Sequence, residues 1–545
     1  MYARNYSKYT TNKQTLQGSL LISVTLTPGG HISIMRYTLL TFMKVCIVLQ
    51  RRFGPVGHRI AIMLKEKYGV SNFCAYIYRR SNYEFLTNQT DIAYDALLLD
   101  EEVHERYRTE KIDIDFLQKL EHEYGIPNLW PYLKVDRVVM HSMGMREYPY
   151  DKPLYSHEDM IRILQVKARA IINFLDKQKP DVVFLPVVSA TGNMLLYHIA
   201  KKKGVRVLVG AETRIGQGYI FSETYTGFSF AEERFRALQA GTAKSECEND
   251  ATTYLKNYRD RPAPYLYMMK QPLRVGRARE LLWFHPAKFF RSLAWFAKLT
   301  AGSLSKKEKD HDAESPLGYL NDRVRRKFRS FVGFNDLYGT FDPKQKYTFY
   351  PLHYEPEIAT MLLSPFWTDQ INLVKQIAQS LPLDFKLYVK DHPVMVGFRP
   401  RSYYSALKKI PNVVLLDPNV SSYQIIQNAQ LITTISGTAG WEGIIFGKPV
   451  ISFGNVYYNA LPGVIKCTEI ERLPHLVQQQ LRSHKHDEKA LINFIATLLE
   501  DSAEVALHEI WEKGRDQHDE ETKLGLFVDL FAHKIGMTKG AIISH

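Results

Sequence analysis

Cysteine is scarce: four of 545 residues, Cys46, Cys74, Cys247 and Cys467, scattered and without a Cys-x-x-Cys pair. That excludes a disulfide framework, argues against a zinc site and fits a reduced compartment with buried thiols. Long apolar runs are missing too. The best candidate for a membrane span, Ile32 to Leu49, is interrupted by Arg36 and Lys44. No Gly-Lys-Ser/Thr follows a glycine-rich turn, so there is no Walker-type phosphate loop. What is present is ordinary in bulk: 45% hydrophobic and 23% charged residues, which excludes disorder or a collagen-like chain for most of the length. The length predicts two or three domains. The net charge of +14 points to an anionic partner, either a nucleotide, a phospholipid surface or nucleic acid. Nucleic acid is the weakest of these, because the basic residues concentrate in one insert and no recognition motif appears.

Residues 1–42 show little clear periodicity. From Met43 the pattern sharpens into a buried strand (Val45 to Leu49), a glycine loop and an amphipathic helix, so Met43 is expected to be the functional start. "KPDVVFLPVVSATGNMLLYHIAKKKGVRVLV" reads as a strand, a polar turn, a helix, Gly204 and a second strand, a βαβ unit. Some 250 residues later, "AQLITTISGTAGWEGIIFGKPVISF" repeats the plan, with Gly447 as the helix stop and Pro449 behind it. The expected fold is α/β: two doubly wound Rossmann-like domains facing across a cleft, with a helical basic insert. The boundaries read as an N-terminal extension (1–42), a first Rossmann-like domain (43–261), a basic aromatic insert (262–345), a second Rossmann-like domain (346–470) and C-terminal helices (471–545).

A tight turn between a strand end and a helix start presents backbone N–H groups and the positive end of the helix dipole. Ser436-Gly437-Thr438 is such a turn. Gly437 and Gly440 would let a phosphate approach the backbone, the Ser436 and Thr438 hydroxyls add donors, and Glu442 is placed to accept from ribose hydroxyls. The plain alternative is that Thr438 caps the helix and Glu442 favours its dipole. "YVKDHP" ends a buried strand in Lys390, Asp391 and His392, where Lys390 could neutralise phosphate and His392 could donate a proton. "YPLHYEPE" runs a strand into His353, Glu355 and Glu357, acid–base candidates by type and position, with helix capping the alternative for Glu357. In the first half, Gly54 and Gly57 in "RRFGPVGHR" would let a ligand approach the first helix, Arg214 in "ETRIGQGYIFSE" could hold an anionic substrate, and with His58 these are the acceptor-binding candidates.

Taken together, "YPLHYEPE…TDQINLVKQIAQSLPLDFKLYVKDHP" followed by the strand–"SGTAGWEGIIFGKPVISFG" unit resembles the bacterial capsule polysaccharide biosynthesis family. The resemblance covers roughly Met43 to Cys467 and is strongest from Tyr350 to Gly454. It implies a GT-B glycosyltransferase, Kdo-transferase-like, with the C-terminal domain binding the nucleotide-sugar and the last helices crossing back to the first domain. It makes Lys390, His392, Ser436, Gly437, Thr438 and Glu442 the donor-site candidates, and it implies a metal-independent enzyme whose nucleotide-sugar is a co-substrate, with no cofactor. A more distant resemblance to UDP-N-acetylglucosamine 2-epimerases leaves a nucleotide-sugar epimerase as a rival, with a non-catalytic component of capsule assembly or export as another.

The reading these features favour is a cytoplasmic transferase with a polysaccharide or lipid-linked acceptor, working at the inner membrane surface. "AKFFRSLAWFAKL" is the expected contact with anionic lipid. Phe289, Phe290, Leu293 and Phe296 would sit on one side, Lys288, Arg291, Trp295 and Lys298 on the other, and Lys306, Lys307 and Lys309 follow.

Overall fold

In this computed structural model the described residues are 21–26, 32–37, 43–124, 128–140, 153–262, 286–304, 316–505 and 517–537, with residues 148, 507 and 510. The early stretch that reads as aperiodic contains β1 (Leu21–Leu26) and β2 (Ile32–Tyr37), paired antiparallel. The first large sheet contains β3 (Lys44–Leu49), β4 (Asn72–Ile77), β5 (Tyr94–Leu99), β6 (Val182–Leu185), β7 (Arg206–Glu212) and β8 (Gly218–Ser222). The second contains β9 (Tyr347–Pro351), β10 (Lys386–Lys390), β11 (Val413–Leu416), β12 (Leu431–Thr434), β13 (Val450–Ser452) and β14 (Val464–Lys466). The last strand, β15 (Ser502–Glu504), returns to the first sheet.

The strand orders define the class. The first sheet runs β15-β8-β7-β6-β3-β4-β5, parallel from β7 to β5 with β8 and β15 antiparallel at one edge. The second runs β11-β10-β9-β12-β13-β14 and is parallel throughout. Each sheet starts in its middle, winds outward one way, then returns to wind the other. That creates a switch point between β3 and β6 in one sheet and between β9 and β12 in the other, the places where open α/β sheets hold ligands. These are two Rossmann-like domains of the GT-B kind.

Burial explains why the strands read as continuous apolar runs. Val45 to Leu49 are wholly buried, and alternate residues serve opposite faces: Cys46 and Val48 in one core, Val45, Ile47 and Leu49 in the other. The Phe53–Tyr68 helix covers the second of these faces and stops at Gly69, whose φ of 71° lets its N–H reach back to the last carbonyls.

The end of the chain belongs to both halves. The Glu488–Glu500 helix packs against the Ser229–Gln239 and Glu248–Asp260 helices of the first half, where Phe235 meets Phe494 edge-on at 5.2 Å. Arg259 donates to the Ile445 carbonyl (2.7 Å) and pairs with Glu488 (2.6 Å), and Phe228 stacks on Tyr457 at 4.8 Å. After β15 the Gln517–Lys534 helix lies on the first sheet, with Phe527 against Phe184, Tyr219 and Phe221.

In the insert, the Pro286–Leu304 helix forms where aromatic residues recur at helical spacing. A second helix, Pro316–Val332, follows it and was not expected; Trp295 and Tyr319 join the two, 4.3 Å between ring centroids. Phe290 and Leu293 are exposed and Phe296 is half-buried. The side chains of Lys288, Phe289 and Leu299, and residues Lys306, Lys307 and Lys309, lie outside the described residues.

Because Phe527 fills the centre of an aromatic cluster on the first sheet, Phe527→Ala is expected to cost about 3–5 kcal/mol. Hydrogen exchange should then rise in β7, β8 and β15 and stay unchanged in β10 and β11. Equal loss in both sheets would contradict the return of the last helix to the first domain.

Candidate functional site

The carboxyl ends of β9, β10 and β12 meet at the switch point of the all-parallel sheet. β9 delivers Leu352 to Glu357, β10 delivers Lys390 to His392, and β12 delivers Ile435 to Thr438. The Thr438–Ile445 helix starts there, its N-cap is Gly437, and no side chain caps it. The sequence alternative, Thr438 as the cap, does not hold: Thr438 is the first helical residue and is exposed. The helix ends at Gly447, φ 70°, with Lys448 N–H reaching the Gly443 carbonyl at 2.8 Å.

A cation that the sequence did not single out holds these loops. Arg399 is fully buried, at 0% exposure. Its guanidinium donates to the His353 carbonyl (2.6 Å) and to the carboxylates of Glu355 (2.8 Å) and Asp391. Asp391 also accepts from the Tyr404 hydroxyl and from His392 N–H (2.8 Å). Gln370 completes the frame, taking His353 N–H at 2.8 Å and donating to the His353 carbonyl at 3.3 Å. The clue in the sequence was an arginine beside a proline in "VMVGFRP", eight residues past Asp391, which is weak on its own.

This frame bears on the three acid–base candidates. His353 is buried, and its Nε2 accepts the Ser436 N–H and lies 3.2 Å from the Thr434 hydroxyl, so its lone pair is committed to shaping the turn. Burial pushes its pKa down to about 3, which keeps it neutral. Glu355 is buried against Arg399; burial raises its pKa and Arg399 opposes the rise. Glu357 is exposed at the N-cap of the Ile358–Met361 helix. His392 is half-buried, accepts from Val394 N–H at 3.3 Å and is shifted down, mainly by burial.

Lys390 and Glu442 form the electrostatic centre. Lys390 is buried and donates to the Ser422 hydroxyl at 2.7 Å. Burial lowers its pKa to about 8, with Glu442 pulling the other way. Burial pushes Glu442 up to about 8, opposed by Lys390. Tyr254 and Tyr258 of the first half, with Tyr423, Tyr457 and Tyr458, all feel the Glu442 charge. The two glycines of the turn make room for the protein's own groups. A side chain at Gly437 would meet Thr434 and His353, and one at Gly440 would meet Tyr458, whose hydroxyl donates to the Gly437 carbonyl at 2.7 Å. The Ser436 hydroxyl donates to the Ala359 carbonyl at 2.7 Å. The donors left facing outward are therefore the first helical amides and the Thr438 hydroxyl.

The first-half candidates divide. Arg214 has a left-handed backbone (φ 66°), sits 3.7 Å from Glu212 and acts electrostatically on Tyr457 and Tyr458 of the second half. Gly54, Gly57 and His58 are spent inside the first domain. A side chain at Gly54 would strike Asn82, one at Gly57 would strike Leu49 and Phe53, and buried His58 lies 3.1 Å from the Tyr94 hydroxyl. Tight packing of this helix against the Arg80–Thr87 helix and β3 explains these glycines. A buried cluster at the carboxyl ends of β4 and β5 was also missed: Asp100 pairs with Lys167 and accepts from the Tyr76 hydroxyl.

Among the described residues no group of three metal-ligating side chains converges. One Asp-x-Asp spacing, Asp113-Ile114-Asp115, is occupied otherwise: Asp113 caps its helix through Phe116 N–H (2.9 Å) and pairs with Arg169. A second, Asp310-His311-Asp312, lies outside the described residues.

The class that the fold defines is a GT-B-type protein, here with an uncapped helix start at the second switch point. Within it, residues 310–487, which include the entire parallel sheet, match the family described as capsule polysaccharide biosynthesis protein. A 134-residue stretch is 28% identical to Protein FixF of Sinorhizobium fredii, spanning 23% of this chain and 31% of that protein. Among solved structures, the β-Kdo 2,4-transferase of Thermosulfurimonas dismutans KpsC is 15% identical, with 59% of this chain and 80% of that chain covered and a TM-score of 0.33. UDP-GlcNAc 2-epimerase of Neisseria meningitidis, bound to UDP-GlcNAc, is 12% identical, covering 84% and 98%, with a TM-score of 0.25.

Two outcomes follow. Arg399→Ala leaves two buried carboxylates without their cation and is expected to destabilise the second domain by about 3–5 kcal/mol in denaturant unfolding. A change below about 1 kcal/mol would contradict the frame. For Glu442, the folded pKa of about 8 lies above the ordinary 4.5. The protonated carboxyl therefore contributes stability that is full below about pH 4.5 and lost as pH climbs to 8. Glu442→Gln should remove this loss, so thermal melting compared with wild type should gain progressively between those limits. A difference independent of pH would rule the assignment out.

Proposed function

We propose that the protein is a glycosyltransferase that moves a sugar from a nucleotide-sugar to a surface polysaccharide or lipid-linked acceptor at the inner face of a membrane. The observation that carries this is the pairing of an uncapped helix start with a buried lysine and a carboxyl of raised pKa, all at the switch point of a parallel sheet. The Thr438 and Ala439 amides at the helix start, with the helix dipole, receive the diphosphate. Lys390 adds the positive charge that neutralises it. Glu442, protonated or ionised, hydrogen-bonds ribose hydroxyls. Arg214 approaches from the first half and closes on the sugar or leaving phosphate. His392 is the group best placed for proton transfer, being half-buried with a lowered pKa and thus neutral and able to accept a proton. His353, Glu355 and Arg399 hold the loops. The match of residues 310–487 to a capsule polysaccharide family supports the acceptor class.

The test is a thermal-shift screen across nucleotide-sugars. One donor should stabilise the protein. Lys390→Ala and Glu442→Ala should each cost about 1.5–3 kcal/mol in its binding, roughly 10- to 150-fold in affinity. Unchanged affinity in both variants would remove the donor site from this turn. Turnover of the donor sugar without any acceptor would instead favour a nucleotide-sugar epimerase.

A further inference from the structure

The Pro316–Val332 helix is mounted the opposite way round to a surface helix of a globular domain. Leu317, Leu320, Val324, Phe328 and Phe331 recur at helical spacing on one face, with exposures of 77%, 43%, 58%, 68% and 55%. The opposite, polar face is the one that meets the protein. Arg326 pairs with Asp322 (2.8 Å) and lies over the Phe398 ring at 4.3 Å, while Arg329 donates to the Phe398 carbonyl at 2.6 Å. Ser330 lies beside Gly397. The neighbouring Pro286–Leu304 helix adds exposed Phe290, Leu293 and Trp295. Together these two helices hold nine of the fifteen exposed large hydrophobic side chains among the described residues, which makes a concentrated surface and not scattered exposure.

Charge selects what covers it. Arg325 and Lys327 project beside the apolar stripe, one on each side, by their positions on the helix. The adjoining helix brings Arg291 and Lys298, both exposed, and among the described residues no acidic side chain lies on the stripe itself. An apolar stripe with basic margins matches the boundary between acyl chains and anionic headgroups. Neither helix is long and apolar enough to cross a membrane.

We infer that the Pro316–Val332 helix, aided by the helix before it, docks this protein flat on an anionic lipid bilayer. The inference rests on and deepens the proposed function, in which the acceptor is met at the inner face of a membrane. It also orients the molecule. The helix is seated on the loop that leads from His392 to Arg399, so docking holds the candidate site about one helix diameter, roughly 10 Å, from the headgroups.

Vesicle co-sedimentation without any nucleotide-sugar tests this, using phosphatidylcholine vesicles with and without phosphatidylglycerol. The wild-type protein should sediment with the anionic vesicles and be released by salt. Val324→Glu with Phe328→Glu, and separately Arg325→Glu with Lys327→Glu, should each weaken binding at least roughly ten-fold while the melting temperature is kept. Should the glutamate variants fail to fold, an environment-sensitive fluorophore on Val324→Cys provides the readout, and its emission should shift to the blue on anionic vesicles. Wild-type protein left in the supernatant at low salt, or no emission shift, overturns the inference. So does a dimer in lipid-free solution that Phe328→Glu abolishes, which would assign the face to a second copy. Docking that fails while a donor still stabilises the protein sinks only the docking; docking without donor binding sinks only the transferase reading.

Discussion

One guanidinium determines the shape of the candidate site. Arg399 bridges the loop after β9 to the loop after β10 through Glu355, Asp391 and the His353 carbonyl, with no exposure to solvent. Two carboxylates and one cation buried together would be costly if any member were absent. With His353 held in this way, its ring receives the Ser436 amide and fixes the turn after β12. The three strand ends at the switch point are thus a single connected polar unit. The helix amides that face outward do so because the groups behind them are already satisfied.

A second level of order comes from how the chain closes. The Glu488–Glu500 helix fits between helices of the first half, and the Gln517–Lys534 helix lies on the first sheet. Tyr254 and Tyr258 are thereby brought to Glu442, and Arg214 to Tyr457 and Tyr458. The raised pKa of Glu442 comes from burial: a carboxyl near a helix start would ionise readily in water, and here burial holds its proton against the pull of Lys390. The insert adds the Pro316–Val332 helix, whose arginines grip the loop ending in Arg399. The insert helix, the loop and the turn share one line of contacts.

Much of this was legible before any coordinates. Apolar runs such as Val45–Leu49 and Leu431–Thr434 are buried on both faces, and polar turns followed by amphipathic helices marked the crossovers, so the doubly wound fold and the Ser436–Thr438 turn were readable. What was hidden depended on distant partners. Glycine signals conformational freedom in a sequence, but Gly54 and Gly57 are small because Asn82, Leu49 and Phe53 need the space. His353 and Glu355 looked like proton carriers by type, and only the position of Arg399, more than forty residues later, shows them as frame. β15 is three residues of weak pattern, recruited by an edge that the sequence could not reveal. The Pro316–Val332 helix escaped notice because its basic residues dominate the reading of an apolar stripe that points away from the protein.

The most direct measurement is a structure of the protein with a bound nucleoside diphosphate. The account predicts phosphates against the Thr438 and Ala439 amides at the helix start, Lys390 within ion-pair reach and ribose hydroxyls on Glu442. A nucleotide seated at the β3–β6 switch point of the first sheet, with the β12 turn empty, would contradict it.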